Sequence, residues 1–172
     1  MTSSTDAVPL PANFDGLGRV ARVPTFDAPW SGLASVLVVW RFSSSRGRLL
    51  ASGVLGDTLV LDTDAGLVEV PLEGTEFVLA PPTDNGEPVN RPIPIVFEPV
   101  LSRLVGLGGG ELHAREDRLA VGDTVHLMAA VLVPVARDPY RTSARLGLEP
   151  AWRVDAARGR SRVVGSWLFE SR

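Results

Sequence analysis

Neither cysteine nor lysine occurs in this sequence of 172 residues, so that all 17 basic side chains are arginines. The absence of cysteine excludes disulfides, thiol catalysis and Cys-ligated zinc or iron–sulfur sites, and it fits a reducing compartment. The absence of lysine excludes Schiff-base chemistry and the lysine of a phosphate-binding P-loop. Several large classes of enzyme are therefore ruled out.

Histidine is scarce as well, with His113 and His126 the only two. They are far apart in the chain and neither has a second histidine at helical spacing, so we predict no metal site. His113 lies in the most charged segment, residues 111–118, but such segments more often form a solvated face than an acid–base pair. No Gly-x-Ser-x-Gly nucleophile motif occurs. We predict no catalytic residue and no cofactor, and therefore a protein that is not an enzyme.

Long apolar runs are also missing. The longest, residues 125–136, is too short to span a bilayer and contains His126. The first six residues have no basic segment followed by an apolar one, which a signal peptide requires. The formal net charge of −3 argues against a general polyanion binder. We expect a cytoplasmic protein with no membrane insertion, for which nucleic acid is an improbable ligand.

The residues that are present favour β-structure. Residues 36–42 have apolar side chains on both faces of an extended chain, which predicts a central strand. A short helix is expected at residues 98–106, before a run of glycines. We predict a mainly β fold, a small barrel or a two-sheet antiparallel sandwich with one or two short helices. Residues 1–15 are predicted to be a flexible lead, and residues 16–172 a single domain with a Pro-rich insertion at 81–99.

The clearest local signal is a hairpin at residues 57–71. Two β-prone runs flank a turn with two aspartates and Gly66, which can adopt the positive φ that closes such a loop. Val68 and Val70 point one way and Glu69 the other, as in a strand with one wet side. This alternation makes Val68 and Val70 candidate contact residues.

Two further strands are expected towards the C-terminus. Residues 125–135 predict the longest strand, with the odd-numbered residues on one face, a bend near Ala129 and Pro134 near the end. Residues 151–154 and 162–169 predict a last hairpin. Its tip, residues 158–162, is the only basic cluster of the chain.

Three other segments are candidate contact surfaces. The Pro-rich arm, residues 81–99, ends in apolar residues that we expect to dock on a surface. A charged turn is predicted at residues 115–123, and the basic tip can meet an acidic partner surface. Solvated loops are the competing interpretation of all three. With the hairpin, the candidate binding residues are Val68, Val70, Ile93, Ile95, Arg115, Glu116, Arg118, Asp123, Arg158 and Arg160.

The order of these signals resembles the GIDE domain family, which occurs in a mitochondrial membrane ubiquitin ligase and in bacterial proteins. The resemblance rests on the Arg-Val-Pro of residues 22–24, the Pro/Gly entry at 28–32, the hairpin at 59–71 and the Glu-x-x-Leu-x-x-Gly-Asp turn within 116–125. It covers residues 16–135. Because the chain has no Cys-rich RING and no membrane helix, the resemblance implies a recognition domain without conjugating activity.

These observations predict a noncatalytic protein-interaction module. We expect an adaptor or accessory subunit of a bacterial stress, defence or membrane-associated system, with a protein partner. One alternative is a structural subunit of a larger homo- or hetero-oligomeric assembly. Another is an oligonucleotide-binding (OB)-like barrel that binds single strands through the basic tip and Trp152.

Overall fold

The computed structural model describes residues 12–21, 23–81, 83–84, 86–104, 111–135 and 148–168. Strands dominate these ranges, which confirms the prediction of a mainly β fold. One short α-helix, α1 (Glu98–Leu104), agrees with the predicted helix as far as Leu104. Two 3-10 helices, Ile95–Phe97 and Ser166–Leu168, are also present. The strands are β1 (Ala12–Val20), β2 (Phe26–Asp27), β3 (Ala34–Ser35), β4 (Leu37–Ser44), β5 (Leu49–Leu55), β6 (Leu59–Thr63), β7 (Gly66–Val70), β8 (Glu76–Val78), β9 (Glu87–Pro88), β10 (Leu112–Leu119), β11 (Thr124–Pro134), β12 (Trp152–Val154) and β13 (Arg162–Val164).

Five of the strands close into a barrel. β1 is antiparallel to both β6 and β11, β6 is antiparallel to β7, and β12 joins β11 to β7. The pairing of β7 with β12 is parallel. Numbered by their order along the chain, the barrel strands follow 1-2-3-5-4-1, with the third and fifth parallel. This is the strand order of the OB fold, a five-stranded Greek-key barrel.

The β6–β7 hairpin forms where the sequence predicts it, with Gly66 at φ 98°. Its apolar side chains lie inside the barrel, however. Val68 and Val70 pair with Leu61 and Leu59, and all four are fully buried. The prediction that Val68 and Val70 form a contact surface is therefore wrong. Because β12 pairs with the free edge of β7 and the barrel closes, the face of β7 that carries Val68 and Val70 lies inside the barrel.

The long strand β11 bends at Ala129, which has φ 51°. The register of β1 against β11 shifts between Phe14 and Gly16 at the same level, as at a β-bulge. The bend and the terminal position of Pro134 are confirmed. The prediction that the odd-numbered residues share one apolar face is wrong. The bulge adds one residue to β11, so odd-numbered residues point inwards before it and even-numbered residues after it. The buried residues on the two sides of the bulge are Val125, Leu127, Ala130 and Leu132.

The predicted last hairpin is also wrong. β12 and β13 do not pair with each other; both pair with β11, at successive positions along it. They are two parts of one interrupted strand, and residues 155–161 loop out between them. Gly159 packs against the Ala129 carbonyl, which places this loop at the bulge. The basic tip is thus an excursion from the barrel wall, since the bulge interrupts the ladder.

A second sheet has the order β5-β4-β10-β9. β4 lies in its centre, as predicted. On one face of this sheet, the Trp40 ring lies where a side chain at Gly53 of β5 would be. Trp40 and Phe42 contact Phe97 at centroid distances of 5.4 Å each, and Trp30 stacks on Phe97 at 5.2 Å. The Pro-rich arm docks through Phe97, which is 1% exposed.

At the N-terminus, residues 12–15 were predicted to be part of a flexible lead but instead begin β1. Residues 1–11 of that lead lie outside the described residues. The same is true of the predicted glycine-rich end of the helix and of the last residues of the chain. None of the helices in the described ranges has the length and apolar character needed to cross a lipid bilayer.

Candidate interaction site

Strand β10 carries the most charged segment of the chain, which was predicted to be partly a turn. Arg115, Glu116 and Arg118 lie on this strand, and the turn is confined to residues 121–122. β4 pairs with β10 along its whole length. On its other edge, within the described residues, β9 pairs with His113 and Ala114 alone. The edge from Arg115 onwards is therefore open to a further strand.

The hydrogen bonds of β10 show which backbone groups face this edge. The Val89 N–H donates to the Leu112 carbonyl on the β9 side at 2.8 Å, and the Val36 N–H donates to the Leu119 carbonyl on the β4 side at 2.8 Å. Backbone groups alternate in direction along an antiparallel strand. The N–H and C=O groups of Glu116 and Arg118 therefore point towards the open edge.

Gly86 explains why β9 stops pairing at this point. Its φ is 81°, and a Cβ atom there would collide with the Ala114 carbonyl. This close approach and left-handed conformation suit glycine, and they mark the end of the described β9 pairing. Asp84 nonetheless stays near, because its carboxylate forms an ion pair with Arg115.

The open edge lines a groove with a volume of about 380 Å³. One wall is the segment 86–91, and the other is the turn at Trp30 and Ser31. The backbone N–H groups of Trp30 and Ser31 donate to the Glu116 carboxylate at 2.7 and 3.0 Å, which fixes the turn beside β10. The guanidinium of Arg91 lies 5.8 Å from the Trp30 ring centre, within cation–π range.

A chain of alternating charges crosses the floor of the groove. Asp117 accepts from Arg115 at 2.7 Å and from Arg41 at 3.1 Å. Its side chain is 10% exposed, so the charge is shielded from bulk water. Arg115 also pairs with Asp84. The charged residues that line the groove are Asp84, Glu87, Arg91, Arg115, Glu116 and Asp117, four negative and two positive, so the groove favours a partner segment with basic side chains.

Exposed apolar residues lie on the arm beside the groove. Ile95 is 78% exposed and Val96 is 45% exposed. Both precede Phe97, whose ring stacks on the Trp30 that lines the groove. Ile93 is half-buried. Adjacent large apolar side chains at the surface are typical of interaction sites.

The structure thus brings together some of the predicted contact residues and separates others. Arg115 and Glu116 line the groove, with the arm beside them. Arg118 is exposed and bonds the Ala34 carbonyl at 3.4 Å. Asp123 lies beyond the strand, where it accepts from the Ala120 N–H at 2.8 Å. Arg158 and Arg160, on the loop between β12 and β13, are not among the residues that line the groove.

The OB-like alternative can be compared with the charges on the barrel. In OB folds, the outer face of the second and third strands binds oligonucleotides. Here that hairpin carries Asp62, Asp64 and Glu69 outside the barrel, and carboxylates repel phosphates. Trp152 is half-buried against the barrel core. Arg158 in the basic tip pairs with Asp155 at 3.1 Å.

Sequence reasoning missed Trp30 and Asp117 as parts of the site. Trp30 was assigned to a turn, and its contacts to Phe97 and Arg91 join segments distant in sequence. Asp117 was grouped with a solvated charged run. One signal was available: Arg41 interrupts an otherwise apolar central strand, and a half-buried arginine requires a carboxylate.

The histidines have other partners. His113 lies 3.7 Å from Glu111, and His126 lies 2.5 Å from Asp15. Across the described ranges, no three His, Asp or Glu side chains are arranged to hold a metal ion.

No family model, curated protein or solved structure matches this chain. The resemblance to the GIDE family therefore stays a prediction from the sequence motifs. The strand order of the barrel is an argument about fold, and fold alone does not assign a function.

Proposed function

We propose that this chain is a noncatalytic protein-interaction module, which binds an extended segment of a partner protein along the open edge of β10. The observation that carries the proposal is the edge itself. Beyond Ala114, the described part of the structure leaves the backbone groups of Glu116 and Arg118 on an edge without a partner strand, and Glu116 lines the groove. Addition of a strand to such an edge supplies main-chain hydrogen bonds, and side-chain pockets add specificity.

A protein segment suits this surface better than a nucleic acid. The groove has paired charges of both signs, and the arm beside it exposes Ile95 and Val96. Mixed polar and apolar contacts are typical of protein interfaces. A polyanion requires an excess of basic side chains, whereas the chain has a net charge of −3.

Within the cell, the proposed role is that of a cytoplasmic adaptor or accessory subunit in a bacterial stress, defence or membrane-associated system. The resemblance to the GIDE family supports this role. The second candidate is a structural subunit of an oligomer, and the same open edge favours it, because two copies of a strand edge can pair with each other.

The test compares two substitutions at one position. Arg118→Pro removes the N–H that faces the open edge and blocks strand addition, while Arg118→Ala removes only the side chain. Tagged variants are purified from the host, and the partner that co-purifies with the wild type is quantified by mass spectrometry. Arg118→Ala is expected to retain the partner and Arg118→Pro to lose it, with both variants folded by circular dichroism.

A second pair of variants tests the arm. The double variant Ile95→Glu/Val96→Glu is expected to weaken capture of the same partner. Leu17→Glu serves as the control, because Leu17 is 54% exposed and lies on the barrel strand β1. If light scattering shows homo-oligomers that Arg118→Pro dissociates, the structural-subunit candidate replaces the adaptor. If folded Arg118→Pro retains the partner, the edge is not the binding site.

A further inference from the structure

A second cavity, of about 500 Å³, lies on the opposite face of the four-stranded sheet from the aromatic cluster. Val39, Arg41 and Asp117 face it from β4 and β10, because Val39 pairs with Asp117 and lies one residue from Trp40. The remaining walls come from the β8 and β13 extension of the barrel sheet and from the segments that follow. Its lining is mainly apolar and includes Val39, Val78, Ala80, Met128 and Trp167.

The polar side chains in the wall of this cavity satisfy one another. Arg41 pairs with Asp117 at 3.1 Å. Arg162 makes two hydrogen bonds to Glu76, one of them 3.0 Å long. The Trp167 indole N–H donates to the Val78 carbonyl at 3.3 Å. The four charges sum to zero, so an ionic ligand would enter without a counter-charge and would lose its hydration.

We propose that this cavity binds an uncharged, largely apolar small molecule about the size of two linked aromatic groups. The volume is within the range of about 300–1,000 Å³ that is usual for small-molecule sites. Water beside the apolar part of the lining has few polar partners, so an apolar ligand can displace it at little cost. An apolar ligand gains contacts with both sheets and gives up few hydrogen bonds with water. This inference does not depend on the proposed function, which concerns the open edge of β10.

The test uses a neutral aromatic probe, N-phenyl-1-naphthylamine, in which a naphthyl and a phenyl group are linked, and its sulfonated analogue, 1-anilinonaphthalene-8-sulfonate. Probe fluorescence is titrated with the whole protein. We expect saturable binding of one neutral probe per chain and weaker binding of the sulfonate. Ala80→Leu is expected to weaken binding of the neutral probe about tenfold or more, because the added methyl groups occupy part of the cavity. Val78→Phe fills the cavity from β8 and decides the test if Ala80→Leu does not fold.

Two controls separate the cavity from other apolar surfaces. Ala65→Leu adds the same atoms at the exposed hairpin turn and is expected to leave probe binding unchanged. The Ile95→Glu/Val96→Glu double variant is expected to leave it unchanged as well. Absence of saturable binding to the wild type would overturn the proposal. So would tighter binding of the sulfonate, loss of binding in the arm variant, or unchanged binding in a folded cavity-filled variant.

Discussion

The barrel and the four-stranded sheet differ in how their strand edges and faces are covered. The barrel closes on itself, so its five strands pair on both sides and its interior is aliphatic. In the second sheet, no described strand pairs with the outer edge of β10 beyond Ala114, and one face is covered by aromatic rings from a turn and from the Pro-rich arm. In a closed barrel the backbone N–H and C=O groups of the strands form hydrogen bonds with neighbouring strands, whereas the edge of an open sheet leaves some of these groups available to a further strand.

The two regions also differ in where they place charged side chains. The buried side chains of the five barrel strands are all apolar. The open sheet places Arg41, Asp117 and Arg115 in a line across one face. Both the groove and the second cavity lie along this sheet. Both proposed binding sites therefore lie on the sheet that is not closed, and neither lies inside the barrel.

The largest expected effects come from truncating one buried side chain in each region. Leu61→Ala in the barrel is expected to lower the free energy of unfolding by about 2–5 kcal/mol. Phe97→Ala removes a ring worth about 3–5 kcal/mol in a typical core. We expect Phe97→Ala to act mainly by detaching the Pro-rich arm from the four-stranded sheet. The free energy of unfolding then falls by no more than the free energy with which the arm docks.

Native-state hydrogen exchange distinguishes these two outcomes. Leu61→Ala is expected to reduce the protection of amides in β6, β7 and β11 together. Phe97→Ala is expected to reduce protection in residues 95–104 while the barrel amides change little. An equal loss of barrel protection in both variants would show that the two regions unfold as one cooperative unit.

A smaller effect is expected from the charges of the open sheet. Asp117→Asn leaves Arg41 and Arg115 without their shared carboxylate, and we expect it to lower the free energy of unfolding by about 2 kcal/mol. Asp62→Asn is the matched control, because Asp62 is exposed on the barrel strand β6. Its expected change is within about 0.5 kcal/mol. Urea denaturation measures both, and equal midpoints would show that the charge network adds nothing to the stability of the sheet.

Periodicity was sufficient to predict the parts of the fold that depend on neighbours in sequence. The β6–β7 hairpin, the central position of β4 and the bend at Ala129 all follow from alternation and turn residues. Each is set by local backbone preferences and by whether one or both faces are apolar. Helical spacing of apolar residues predicted a helix at 98–106, of which Glu98–Leu104 is confirmed.

Closure of the barrel and the position of the groove could not be predicted in this way. The parallel pairing of β7 with β12 joins residues far apart in sequence, and nothing in either strand specifies the other. Burial of Val68 and Val70 follows from that pairing. The groove likewise depends on Gly86, whose approach to Ala114 ends the β9 ladder. A glycine between turn residues gives no indication of which strand it will approach.

The smallest effect is expected where the two regions meet, at the ion pair between Glu76 of β8 and Arg162 of β13. The hydrogen bond from Arg162 lowers the pKa of Glu76 below its usual value, although desolvation opposes the shift. A carboxylate whose pKa falls on folding stabilises the protein above the pKa of the unfolded chain, about 4.3. That contribution disappears as the pH falls through the lower pKa of the folded state.

Glu76→Gln is therefore expected to lower the thermal midpoint at neutral pH, and the difference from wild type should close below about pH 4. The effect is small because the Arg162 and Glu76 side chains are 52% and 54% exposed. Glu73→Gln, in the exposed turn before β8, is the matched control and should follow the wild-type profile. A difference for Glu76→Gln that persists in acid would mean that the side chain holds the two parallel strands together by packing rather than by charge.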